Sequence, residues 1–254
     1  MNRRFSALVV VLAAAAAGGL ALAPLTLPER GLPGQSAPFD RKVRDYLVSN
    51  PEVIMEAVAV LERRKGEVQT ARRREILKER SGVIRSPRGL PVKGNAEGDV
   101  TVVEFFDYRC PYCKRSAPEV EALLKGDGGV RVVLKEFPIL GPQSVFAARA
   151  AIGANAQGKY LAFHDALMAH GGEFGEEDVM TLARGVGLDV DRLRADMAKP
   201  AVDAMIRENL ALARDLGIRG TPAFIIGDNL VPGYAARANL AALVARARDG
   251  CETC

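Results

Sequence analysis

"VTVVEFFDYRCPYCKRSAPEV", Val100 to Val120, joins a run of β-branched and aromatic residues to two cysteines separated by two positions. Val100 to Phe106 is apolar at almost every position, the pattern of a central strand covered on both faces. The helix that follows begins at the cysteines, with Pro111 suited to its first turn and Pro118 expected to kink it.

This placement bears on the sulfur chemistry. A Cys110 at the helix N-terminus faces unpaired backbone N–H groups and the positive end of the dipole, while Cys113 lies one turn inside. The dipole alone lowers a thiol pKa by about one unit, and local donors must supply the rest. An ionised Cys110 is a nucleophile near neutral pH, and the spacing lets Cys113 resolve a mixed disulfide without a large backbone movement. Two other readings stay open. A zinc site could be completed by Cys251 and Cys254 of the terminal "CETC", and the pair could be an inert staple. Zinc knuckles favour small residues and turns between cysteines, whereas Pro111-Tyr112 opens a helix, which favours redox exchange.

Outward from this stretch, "VRVVLKEFP", Val130 to Pro138, reads as a second buried strand. From Gly141 to about Gly217 the chain reads as helices, and "TPAFIIGDNLVPG" as a strand, a Gly227-Asp228-Asn229 turn and another strand. A final helix spans Ala235 to Arg248. The order predicts an α/β fold, a small mixed sheet with an inserted helical subdomain.

Towards the N-terminus, Arg3 and Arg4 precede an uncharged apolar run, the order of an export signal over residues 1–23. A cleaved signal is the favoured reading and an uncleaved anchor the second, since Phe5 to Ala23 is nearly long enough to span a bilayer. Loss of Arg3 and Arg4 lowers the formal charge from +4 to +2, which gives no case for nucleic acid. Residues 24–38 read as a Pro/Gly/Ser-rich linker and 39–80 as a helical stalk, with Asn50-Pro51 as a cap between two helices. Val53, Ile54, Ala57, Val58 and Leu61 form one apolar face. Beyond Leu61 the stalk is charge-dense, either solvated or self-associating. Ser81-Gly82 breaks the pattern, and the stretch to Asp99 reads as loop or irregular edge strand.

Together with "RGTPAFIIGD" and "KEFPILGPQSVFAARAAIGANAQGKYLAFHDALM", the opening stretch resembles the DsbA-like thioredoxin-fold proteins of bacterial periplasms, from about Gly94 to Arg248. The resemblance implies a thioredoxin domain over 94–250 with a helical insertion at about 141–217. It also implies a thiol:disulfide oxidoreductase that forms, reduces or isomerises disulfides in exported proteins and needs no cofactor. Cys110 is then the nucleophile and Cys113 the resolving thiol, with Pro222 the family's cis-proline, which with Thr221 meets an extended substrate. Glu104 takes the place of the buried acid beneath the pair. From the residues alone, a carboxyl in an apolar strand should have a raised pKa, the alternative being a solvated edge position.

Two departures from the family's namesake oxidase point towards isomerases. The dipeptide between the cysteines is Pro-Tyr rather than Pro-His, which removes a cationic stabiliser of the thiolate, and Thr221 stands where the oxidase has Val. The stalk also resembles that of the suppressor-of-copper-sensitivity proteins. An isomerase or reductase acting on unfolded or misoxidised exported proteins, fed by a membrane redox partner and self-associated through 39–80, is therefore expected slightly ahead of a monomeric oxidase. A metal-binding or client-holding protein is the alternative of another class.

Pro111 and Tyr112 are expected at the substrate surface. Cys251 and Cys254, in the tail 251–254, are either a flexible end or a relay to the Cys110–Cys113 pair. His164, on an apolar helix face, reads as a hydrogen-bonded core residue rather than a ligand, and His170 lies near a loop.

Overall fold

The computed structural model describes residues 37–172 and 174–250. The expected signal, most of the linker and the cysteine tail lie outside them. The chain divides into a unit ending at Val58 and a second from Ala59 onward.

In the first unit, helix α1 spans Ala37–Ser49 and α2, Glu52–Glu79, begins. Asn50 joins the two helices: its side-chain amide donates to the Tyr46 carbonyl at 2.9 Å, closing α1, and its backbone carbonyl accepts from the Val53 N–H at 3.2 Å, at the start of α2. Ile54 and Val58 are exposed.

The second unit is built on a sheet ordered β1-β3-β2-β4-β5. Its strands are β1 Lys93–Gly94, β2 Val100–Phe106, β3 Val130–Glu136, β4 Ala223–Ile226 and β5 Asn229–Pro232. The β2–β3 pair is parallel, with Val102 opposite Val132; the other pairs are antiparallel. All seven residues of β2 are buried, because helices cover both faces. Alternation along β2 divides the core. Val102 and Phe106 pack with Val132, Phe224 and Ile226 on one face; Val103 and Phe105 pack with Val133 and Ile225 on the other. Glu104 shares the first face, which is also the face of the cysteines.

Helix α4, Pro111–Gly126, crosses from β2 to β3 and continues past Pro118. Between β3 and β4 lie α5 Pro142–Ala154, α6 Tyr160–Ala169, α7 Glu176–Gly185, α8 Val190–Met197 and α9 Pro200–Asp215, and α10, Arg237–Gly250, ends the described chain. Ser81–Arg85, expected as loop, is a short helix, α3. Ile84 is fully buried with Leu77 against Phe105, Leu212 and Leu216, so burial of two aliphatic side chains makes a helical turn of that segment. The core thus reaches upstream of Gly94, where the sequence places the domain boundary.

Candidate active site

The site begins at the step from β2 into α4. Asp107, buried just past the strand, accepts from the backbone N–H groups of Arg109 at 2.8 Å, Ile139 at 2.8 Å and Leu140 at 3.0 Å, and from the Ser144 hydroxyl at 2.8 Å. One carboxylate therefore ties the approach to α4 to the loop before α5. Cys110 is the N-cap of α4, with φ −77° and ψ 117°, and its carbonyl accepts from Lys114 N–H at 3.2 Å.

Cys110 and Cys113 are buried free thiols. The Thr221–Pro222 peptide bond is cis, and the Cys110 thiol lies 3.2 Å from the Thr221 carbonyl oxygen, to which it donates. That contact holds the protonated form. The thiolate is held by the Cys113 thiol first, then by Thr221 and the backbone N–H groups of Cys113 and Tyr112, and these outweigh desolvation: the pKa falls to about 5. Each of these groups is neutral, so the thiolate is stabilised without the cation missing from the Pro-Tyr dipeptide. Cys113 moves the other way. Burial raises its pKa most, helped by the bond to Cys110 and the charge of Glu104.

Glu104 is 4% exposed, and burial raises its pKa to about 7, opposed in part by the charge of Lys93. The solvated alternative for Glu104 is excluded. Tyr112 is 55% exposed beside the pair, with the Arg115 guanidinium 5.5 Å from its ring centroid. Pro111 lines an open cleft of about 530 Å³ together with Arg109, Lys114, Gln143 and Phe174. The tail cysteines are outside the described residues.

Sequence reasoning missed Asp107 and a buried acid–phenol cluster beneath the site. Glu136 accepts from Tyr108 and Tyr160 hydroxyls, each at 2.9 Å, and Tyr108 lies 3.1 Å from His164 Nδ1. Burial raises Glu136 to about 8 and lowers His164 to about 3, so His164 is a neutral core residue. A single acid at the end of the apolar run "VRVVLKE" was the available signal, of the same kind that drew attention to Glu104.

Comparison with known proteins adds the following. A family model described as DSBA-like thioredoxin domain matches residues 101–245, and one described as Copper resistance protein ScsC N-terminal domain matches residues 35–67. A thioredoxin-like oxidoreductase from Silicibacter pomeroyi is 53% identical at a TM-score of 0.63, covering 64% of this chain and 94% of that one. BcfH of Salmonella enterica Typhimurium is 31% identical at a TM-score of 0.66, covering 83% and 95%. Na(+)/H(+) antiporter NhaA 1 of Salinispora arenicola is 36% identical over 137 residues, 53% of this chain and 21% of that protein. The chain spans about a fifth of the length of the curated relatives it matches.

Proposed function

The chain belongs to the DsbA-like thioredoxin family of oxidoreductases, and on that premise we propose that it is an exported, periplasmic protein that reduces and isomerises disulfides through Cys110 and Cys113. The observation that carries the thiol–disulfide chemistry common to both directions is the Cys110 sulfur at the N-cap of α4, set against the cis Thr221–Pro222 loop.

In the proposed reaction the Cys110 thiolate attacks one sulfur of a client disulfide. A Cys110–client disulfide forms, the client S–S bond breaks, and the departing client thiolate takes a proton from solvent. In isomerisation another client thiolate attacks the mixed disulfide and expels Cys110. In reduction Cys113 loses its proton to Glu104 and attacks the Cys110 sulfur; the Cys110–Cys113 bond forms, the Cys110–client bond breaks, and the second client thiolate leaves and takes a proton from solvent, so that the pair is oxidised by two electrons and the client is reduced. Glu104 suits this step because its pKa of about 7 lets it hold or release a proton near neutrality. Pro222 has no N–H, and its carbonyl accepts from Gly233 at 2.8 Å, so Thr221 is the residue left to offer backbone groups to an extended client.

The segment 39–80 is read as self-associating. The match to the ScsC N-terminal domain over residues 35–67 supports this, as do the exposures of Ile54, Val58 and Leu61, each near one half. Oligomerisation shields a reduced pair and multiplies client contacts. A second reading, a monomeric oxidase, is favoured by the low Cys110 pKa itself, since stabilising the thiolate makes the disulfide more oxidising.

Recovery of scrambled ribonuclease and solution mass, measured on the wild type and on an Ile54→Glu, Val58→Glu, Leu61→Glu variant, separates the two. The isomerase reading expects an oligomer whose variant is monomeric, loses recovery and still exchanges with simple dithiols. Equal recovery by two monomers would reverse the preference towards the oxidase. Loss of all exchange in Cys110→Ser is expected under both.

A further inference from the structure

The chain between α9 and β4, just ahead of the Thr221–Pro222 bond in sequence, lines a second cleft, of about 450 Å³. It is lined by Gln69, Arg72, Arg73, Arg214, Gly217 and Arg219. Its one acidic lining residue among those described, Asp215, is paired with Arg80 at 2.6 Å. Arg73 Nε donates to the Leu216 carbonyl at 3.1 Å, which satisfies the end of α9. Arg72, Arg214 and Arg219 are exposed and have no acid partner among the described residues. Gly217 has φ +71°, and a Cβ there would meet the Gln69 amide nitrogen at 2.5 Å. The bend that forms this wall therefore requires glycine.

We propose that this arginine cleft docks an acidic segment of the client polypeptide, with carboxylates about two to four residues from the reacting cysteine. The proposal rests on the reading of Cys110 as the nucleophile and names the clients that site prefers. Its support is the continuity of the chain. Arg219 is separated from Thr221 by Gly220 alone, at most about 7 Å of backbone, and the Thr221 carbonyl contacts the Cys110 thiol. An extended client advances about 3.3 Å per residue, so a chain whose sulfur lies at Cys110 brings its neighbours to Arg219 within a few residues. Guanidinium groups pair with carboxylates bidentately, and several spread along one cleft match a row of side chains better than a single small anion. Rim charges of this kind also raise encounter rates at low salt.

The test uses the full-length protein and two peptides, each with one cysteine flanked on both sides by three Glu or by three Gln, plus their Cys→Ser analogues for binding alone. At low salt the Glu analogue is expected to bind about tenfold more tightly than the Gln analogue, about 1.4 kcal/mol, and the preference should shrink as salt rises. It should vanish in Arg214→Gln, Arg219→Gln and fall part of the way in Arg72→Gln. Exchange of the oxidised protein with dithiothreitol should be the same in all. Equal binding of the two analogues, or a preference that survives in the double variant, overturns the cleft while leaving the Cys110 reading intact. Tight, arginine-dependent binding of the Glu analogue with no exchange by any thiol supports the cleft and overturns the reading of Cys110.

Discussion

The Cys110 sulfur and the Thr221 carbonyl oxygen, 111 positions apart in sequence, lie 3.2 Å apart in the fold. The Cys110 thiol is thus set by two separate parts of the chain: the β2–α4 step fixes its backbone, and the loop before β4 closes on its side chain. Thr221→Val keeps the carbonyl and removes the hydroxyl. A hydrogen bond to a charged group contributes about 1.5 to 3 kcal/mol, and one pKa unit is about 1.36 kcal/mol. The midpoint of Cys110 alkylation against pH should therefore rise from about 5 by about one to two units. An unmoved midpoint would mean that the helix terminus and Cys113 suffice.

The same shift predicts a pH dependence of stability. Folding lowers the Cys110 pKa from 9.0 to about 5, so between these values the unfolded reduced chain holds a proton that the native one lacks. The resulting stabilisation is complete above pH 9 and is lost as pH falls through 5. A disulfide form has no such group. Denaturant midpoints of the reduced protein should gain on those of the oxidised protein as pH rises across this window, and reduced Cys110→Ser should lack the gain.

Glu104 has the opposite sign. Its pKa rises from 4.5 to about 7 on burial, so its favourable contribution is present below pH 4.5 and is lost as pH rises through 7. Glu104→Gln should gain stability relative to the wild type over that range. It should also slow the Cys113 step on the order of a hundredfold, leaving the first attack by Cys110 unchanged. Rapid-quench measurement of mixed-disulfide decay distinguishes the steps, and a variant with normal decay would remove Glu104 from the proton path.

Asp107 gathers four donors, and its removal strands several of them. At about 1 to 3 kcal/mol for each unsatisfied buried group, Asp107→Ala should cost about 3 kcal/mol or more, and at about 2 to 4 °C per kcal/mol the Tm should fall by about 6 to 12 °C. Asp107→Asn, which keeps one acceptor, should lose less. Calorimetry of the two variants reads the difference, and equal small losses would show that water replaces the carboxylate.

Periodicity and turn chemistry made most of the second unit legible. An unbroken apolar run marked β2, the glycine-bounded "IIGDNL" marked the last hairpin, and Pro111 marked the start of α4, because each of these signals is local. Ser81–Arg85 reads locally as loop or irregular edge strand, because what makes it helical is a distant surface, the Phe105 and Leu216 side chains that cover Ile84. Tyr108, Tyr160 and Glu136 were passed over for the same reason, since hydrogen bonds across 24 and 28 positions leave no trace in either segment alone.

By itself the sequence determined the family and the place of Cys110 and Cys113 at a helix start, because a buried strand running into a Cys-Pro-Tyr-Cys turn is written in consecutive residues. Only the tertiary structure decided how acidic each sulfur is, which groups share the face of Glu104, and that four arginines from α2, α9 and its following loop line one cleft. Desolvation and charge act through space over a few ångströms, and the spacing of residues along the chain does not specify such distances.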